Sequence, residues 1–317
     1  MDQESLVSII MPVKNAEPWL QECLDSILSQ TFTRWELIAV NDGSTDRSLQ
    51  ILKSFEAIDS RIQVFQNDGH GIIDALNTAF THTNSDLITR MDADDVMPPM
   101  KLEWFMGAHK SHPAAIITGK VAYFSKGEIS KGYLEYQSWL NERIQKQDHW
   151  NWIYRECVIA SANWMAPKEL VAFASDMYPE DYKIVLDWHS QGCEIATVDE
   201  VTHLWREHPK RTSRNSKNYE QEAFFNLKLK HFLLEKRDSE RPLMVMGKNK
   251  KAKLIKRFLK QHGEVFIEVD LEHLYRFAEV ENPQVLSAVF PDETVRNGIS
   301  DFLAGFDLEM GRDWWWV

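Results

Sequence analysis

Between residues 6 and 91 short apolar runs alternate with helical stripes, and this succession leaves few folds open. Residues 6–11, 36–40, 62–65 and 86–91 read as strands. Between the first two, Trp19, Leu20, Cys23, Leu24, Ile27 and Leu28 fall on one helical face. Leu49, Leu52 and Phe55 form a second stripe, and residues 72–80 a third helix. Asn15 and Pro18 stand where a helix should start. A β-α-β-α order forces successive strands to run parallel, so the expected class is α/β, a mainly parallel sheet flanked by helices. Ligands of such sheets collect at the carboxyl ends of the strands. Asn15, Asp42 and Asp92 each follow one of those ends.

The fourth strand runs into Thr89-Arg90-Met91-Asp92-Ala93-Asp94-Asp95, three carboxylates in four residues. Hard divalent cations such as Mg²⁺ or Mn²⁺ take oxygen ligands and bind through one or two carboxylates plus the phosphates of a substrate. A solvated acidic turn would use the same residues, because Asp closes turns through local hydrogen bonds. The formal charge, 36 − 48 = −12, argues against nucleic acid as a partner, since phosphate backbones are held by basic surfaces. No apolar run approaches the roughly 18 residues of a membrane span. Met1 to Ser5 lack the layout of a signal peptide, and a cytoplasmic location is expected. Cys23, Cys157 and Cys193 have no paired metal-binding spacing and read as reduced, mostly buried thiols.

Beyond residue 100 a helix at 102–109 and a strand at 115–119 precede an aromatic-rich stretch, 133–154, read as the acceptor-facing half. Pro179-Glu180-Asp181-Tyr182 opens a further helix, which Gly192 ends. Strands at 195–198 and 202–206 and a long helix from about 216 to 235 follow. The charged run Glu235 to Arg241 is the best linker, giving domains 1–238 and 239–317. The second reads as a small Rossmann-like α/β module, with strands at 242–247, 265–269 and 285–290. Its fingerprint is degenerate: Gly247-Lys248-Asn249-Lys250-Lys251-Ala252 lacks the second glycine that lets a pyrophosphate approach. A structural or protein-interaction role is expected, with lysines that leave room for an anion at the helix N-terminus.

Six motifs in order carry a resemblance. They are Val7 to Asn15, Asn41 to Asp46, Gly71 to Asn77, Arg90 to Asp95, Pro179 to Tyr182 and Trp205 to His208. Together they resemble the family 2 glycosyltransferases, whose nucleotide-sugar-binding fold is called GT-A; the C-terminal module is similar to one appended to some bacterial members. Lys14 departs from the pattern, where the family more often has an aromatic residue. The resemblance implies an inverting transfer, dependent on Mn²⁺ or Mg²⁺, from a nucleotide-sugar, most simply a UDP-sugar. The acceptor would be a hydroxyl of a glycan or lipid-linked sugar in bacterial cell-surface polysaccharide synthesis. By resemblance Asp94 is the metal ligand and His208 a further metal or diphosphate contact. Asp92, with Ala93 beside it, holds the ribose, and Asp95 orients the loop. Asp42 accepts a hydrogen bond from the base, in a pocket lined by Pro12, Val13 and Asn15, although Asn15 could equally cap the helix. Arg90 contacts the diphosphate or pairs with Asp92. Asp181 is the catalytic base; the helix dipole should favour its ionised form, and Glu180 should orient it.

Two other classes stay open. A nucleotidyltransferase also sets acids at strand ends, but calls for a glycine-rich loop after the first strand, and residues 11–16 contain no glycine. A non-catalytic nucleotide-sugar or glycan-binding protein is the other. Membrane contact, at the inner face, would be at most peripheral, through His208-Pro209-Lys210-Arg211 or Trp314 to Trp316.

Overall fold

The structure is a computed structural model and describes residues 6–174, 177–289 and 292–317. The chain divides into two compact units, each discontinuous: 1–149 with 159–215, and 150–158 with 216–317. This differs from one cut after residue 238, because the helix preceding the charged run packs with the second unit.

In the first unit, β1 (Val7–Val13), α1 (Glu17–Leu28), β2 (Trp35–Asn41), α2 (Ser48–Glu56), β3 (Ile62–Gln66), α3 (Ile72–Thr81) and β4 (Leu87–Arg90) keep the alternating order. They are followed by α4 (Lys101–Ser111), β5 (Ile116–Phe124), α5 (Lys131–Lys146), β6 (Trp164–Pro167), α6 (Glu180–Ser190), β7 (Ile195–Arg206) and α7 (Thr212–Asn215). The sheet order is β3-β2-β1-β4-β6-β5-β7. β1 pairs in parallel with both β2 and β4, and all seven residues of β2 are buried. Helices covering both faces explain why these strands read as continuous apolar runs rather than alternating ones.

The second half of the sheet was harder to read. β6 runs antiparallel between β4 and β5, and its four residues carry no pattern that marks them as a strand. The two strands expected at 195–198 and 202–206 are one, β7, whose pairing with β5 shifts register at Gly119 and Lys120. A Cβ on Gly119 would lie 2.5 Å from the Thr202 hydroxyl, so the irregularity needs a glycine there. The aromatic stretch supplies part of a local core: Tyr133, Tyr136 and Trp139 pack around Tyr123 and Trp205.

The second unit contains α8 (Gln221–Glu235), β8 (Leu243–Met246), α9 (Lys250–Gln261), β9 (Phe266–Val269), β10 (Gln284–Ser287), α10 (Glu293–Ala304) and β11 (Trp314–Trp316). Its sheet is fully parallel, in the order β11-β10-β8-β9. Gly247 is crowded by Val289, 3.2 Å from where a Cβ would sit, and the first turn of α9 is capped by the Asn249 side chain accepting from Ala252 N–H. Trp314, Trp315 and Trp316 are at most 2% exposed. They form a strand of this core, and the reading of them as a membrane contact is corrected accordingly. Among the described residues no helix is long and apolar enough to cross a membrane.

Candidate active site

The ends of β1 and β2 and the start of α3 bring the first three motifs together. Val13 is fully buried in the core, and its carbonyl accepts from Asp42 N–H at 2.8 Å. Pro12 is partly buried beside it. Asn15 has φ 51°, a left-handed conformation that asparagine tolerates. Its Oδ1 accepts from Thr45 N–H at 2.8 Å and its own N–H donates to Ser44 Oγ, so it ties the β1 loop to the β2 loop. It does not cap α1, whose first N–H groups are met instead by Ser48 and Asp46 of the neighbouring loop. Asp42, 5% exposed, accepts from Lys14 Nζ at 2.9 Å, Asn67 Nδ2 at 2.7 Å and Gly71 N–H at 3.0 Å. Burial alone would raise its pKa, but these bonds to the charged form outweigh burial and hold it below the usual carboxylate range. Lys14, the departure from the family pattern, is thus one of the residues that keep Asp42 charged.

The acid cluster follows β4, anchored by Met91 N–H to the Ile10 carbonyl of β1. Its three carboxylates have three surroundings. Asp92 accepts from Arg90 Nε at 2.8 Å and from the Ser161 hydroxyl at 3.2 Å. Asp94 Oδ2 lies 2.8 Å from His208 Nε2, and the carboxylate keeps 28% of its side-chain surface open. Burial opposes its ionisation, yet the His208 hydrogen bond and the Arg211 charge prevail, and its pKa is lowered. Asp95 is 1% exposed and faces inward, taking Arg206 N–H and His203 Nε2, both at 2.8 Å. Burial, then the charge of Asp94, pushes its carboxyl well up, while burial pushes His203 well down. Ala93 is 7% exposed, with its methyl in the core.

His208 arrives from the end of β7 and stacks on Trp19, ring centroids 3.8 Å apart. The stack fixes the imidazole plane toward Asp94. An exposed carboxylate oxygen facing an imidazole nitrogen is a donor pair that fits a hard divalent cation completed by water and substrate phosphate. Of the basic residues after it, Lys210 is exposed and two arginines turn to an acid of the same loop. Arg211 and Arg214 turn onto the buried carboxylate of Glu207, at 3.5 and 2.5 Å, and Arg211 also lies over the Trp205 ring.

Arg90 is 3% exposed and links the cluster to α6: its Nε binds Asp92 and its Nη1 donates to Glu180 Oε1 at 3.0 Å. Glu180 Oε1 is thus an ion-pair partner of Arg90. Asp181 accepts from Tyr182 N–H at 2.8 Å. Its pKa is raised to about 7, by burial first and by the Glu180 charge second. The expectation that the helix start would favour ionisation is overturned, because desolvation and a like charge exceed the dipole's contribution.

Several supporting residues were given no role by the sequence. Arg206 donates to the Asp94 carbonyl at 2.6 Å and to Glu22 at 2.8 Å. Lys101, fully buried, donates to the Ala162 carbonyl at 2.7 Å, and burial takes it down to about 7.

Residues 8–169, just over half of the 317, match the model of glycosyl transferase family 2. The chain belongs to that family. An uncharacterized glycosyltransferase of Haemophilus influenzae is 29% identical over 223 residues, covering 67% of this chain and 69% of the relative. Uncharacterized glycosyltransferase EpsJ of Bacillus subtilis is 26% identical over 220 residues, 64% of this chain and 62% of its own length. The family 2 fold is shared with S. aureus TarS 1-349, crystallised with UDP-GlcNAc, at TM-score 0.59 and 16% identity, covering 81% of this chain and 72% of that one. It is shared too with mannosyltransferase PcManGT of Pyrobaculum calidifontis, in complex with GDP-Man and Mn²⁺, at TM-score 0.54 and 18% identity, covering 82% and 70%. This chain is thus a glycosyltransferase with a mostly parallel sheet of the GT-A kind.

Proposed function

We propose that the protein transfers a sugar, with inversion, from a UDP-sugar to a hydroxyl of a glycan or lipid-linked acceptor in bacterial surface polysaccharide synthesis, using Mn²⁺ or Mg²⁺. The observation that carries this reading is the convergence of Asp94 Oδ2 and His208 Nε2, 2.8 Å apart, beside Asp92 and the Arg90 bridge to Asp181's helix. The family and the nucleotide-sugar complexes of the two structural neighbours support it.

Asp94 and His208 would hold the divalent cation, which neutralises the leaving diphosphate without proton transfer. Asp42, kept ionised by Lys14, Asn67 and Gly71, retains lone pairs for a donor on the base. Asp92, oriented by Arg90 and Ser161, is placed for the ribose hydroxyls. Asp181 takes the proton of the acceptor hydroxyl as its oxygen bonds to the anomeric carbon; the bond from that carbon to the diphosphate breaks, and the nucleoside diphosphate leaves with the electron pair. A pKa of about 7 suits a base that must be largely deprotonated yet able to accept a proton at neutral pH.

The test is a panel of nucleotide-sugars scored for Mn²⁺-dependent nucleoside diphosphate release by the full chain and by Asp94→Asn. Charge stabilisation by a bound metal contributes several kcal/mol, so the variant should lose about 100-fold or more. Unchanged release by the variant, or release indifferent to a chelator, would rule the metal-assisted reading out.

A further inference from the structure

The second unit carries a cavity of about 280 Å³ with a surplus of buried positive charge that the transfer chemistry does not use. Its lining includes Glu156, Tyr219, Gln221, Phe225, Lys228 and Lys251, and all of them belong to that unit. Lys228 stands on α8 and is only 2% exposed. Among the described residues its ammonium has one hydrogen-bond acceptor, the Arg155 carbonyl at 3.4 Å, and it lies 4.0 Å from the Phe225 ring centroid. Lys251, from the first turn of α9, reaches Glu156 Oε1 at 3.3 Å, and Arg155 pairs with that same oxygen. Three cations therefore share one carboxylate. Among the described residues the carboxylate lies within ion-pair distance of Arg155 and Lys251, while Lys228, the most deeply buried of the cations, feels its charge from farther away.

A buried ammonium that must share one carboxylate with other cations is costly, and a fold keeps one where something else supplies the missing charge. Burial, reinforced by the Lys251 and Arg155 charges against Glu156, already lowers Lys228 to about 7. The cavity is larger than one phosphate needs. The Gln221 amide adds hydrogen-bonding groups, and Tyr219 and Phe225 line the rest of the wall. We infer that this cavity binds a small phosphate-bearing ligand, its phosphate held between Lys228 and Lys251 and its remainder against Tyr219 and Gln221. Lys228 is then the group whose charge the ligand completes. This site is independent of the transfer reading, since none of its residues lies in the unit that carries Asp94 and Asp181.

Titration calorimetry of the full chain with inorganic phosphate, and separately with glucose 1-phosphate, tests the inference against Lys228→Met and Lys251→Met. Hydrogen bonds to charged groups are the stronger ones, so each variant should bind the probes about tenfold or more weakly than the parent. Without a probe, Lys228→Met should melt at or above the parent temperature, because methionine keeps the stem and removes the buried charge; a purely structural lysine would instead lower it. Tighter binding of glucose 1-phosphate than of phosphate would mark a sugar phosphate as the ligand class, and equal affinity phosphate alone; both support the site. Equal affinity of parent and variants would overturn it. Should Lys228→Met fail to fold, the part-exposed Lys251→Met carries the same comparison.

Discussion

Asp181 sits at the start of α6, where several influences on one carboxyl compete. Burial and Glu180 raise its pKa, Arg90 and the Tyr182 N–H lower it, and the balance is about 7. Its activity as a base requires the deprotonated form, so transfer should rise with pH through about 7 and level off above it. Asp181→Asn should lose about 100-fold to 10,000-fold in kcat, with donor KM little changed. Steady-state kinetics at several pH values check both, and wild-type turnover by the variant would remove Asp181 from the chemistry. Stability should move the other way. The unfolded pKa is about 3.9, so between there and about 7 the folded state holds the extra proton, and the stability contributed by Asp181 falls as pH rises across that window. Melting curves should therefore show Asp181→Asn gaining on the parent at pH 8 relative to pH 5. None of this was legible in Pro-Glu-Asp-Tyr itself, which suggested an ionised, dipole-stabilised acid. The carboxylate was readable; its solvation depends on what the rest of the chain packs over it.

At the scale of elements, the join between β4 and α6 decides how the acid cluster meets the base. Arg90, at the end of β4, holds Asp92 with one nitrogen and Glu180 with another, and both Arg90 and Glu180 are at least 96% buried. Removing one partner of a buried pair leaves an uncompensated charge, so Arg90→Met should cost about 3–5 kcal/mol in denaturant unfolding. Adding Glu180→Gln should restore much of that loss. Equal stability of the single and double variants would show that the pair does not carry this energy. Sequence periodicity succeeded for β1 to β4, where whole strands and stripes repeat. It failed for β6, four residues long and antiparallel, and for the joined β7, because a bulge across two strands depends on Gly119 meeting Thr202, 83 residues away.

At the scale of the whole molecule, the division into two units reassigns residues that local pattern placed elsewhere. α8 and residues 150–158 join the C-terminal sheet, and there Trp315 packs edge-on to Phe232 and Tyr154, ring centroids 5.0 and 6.2 Å apart. Truncating a buried tryptophan costs about 3–5 kcal/mol, so Trp315→Ala should lower the unfolding midpoint of this unit by a corresponding amount. A change below about 0.5 kcal/mol, typical of surface positions, would contradict the core assignment. From the sequence alone followed the α/β class, the strand-end positions of Asn15, Asp42 and the Asp92 to Asp95 cluster, and the family resemblance, because these rest on periodicity and on motifs contiguous in the chain. Only the tertiary structure decided that Asp95 faces inward to His203, that Glu180 answers Arg90, that Arg211 folds onto Glu207 and that the terminal tryptophans are core. Those outcomes depend on burial and on charges brought together from distant positions, and desolvation is a property of the packed chain rather than of any segment within it.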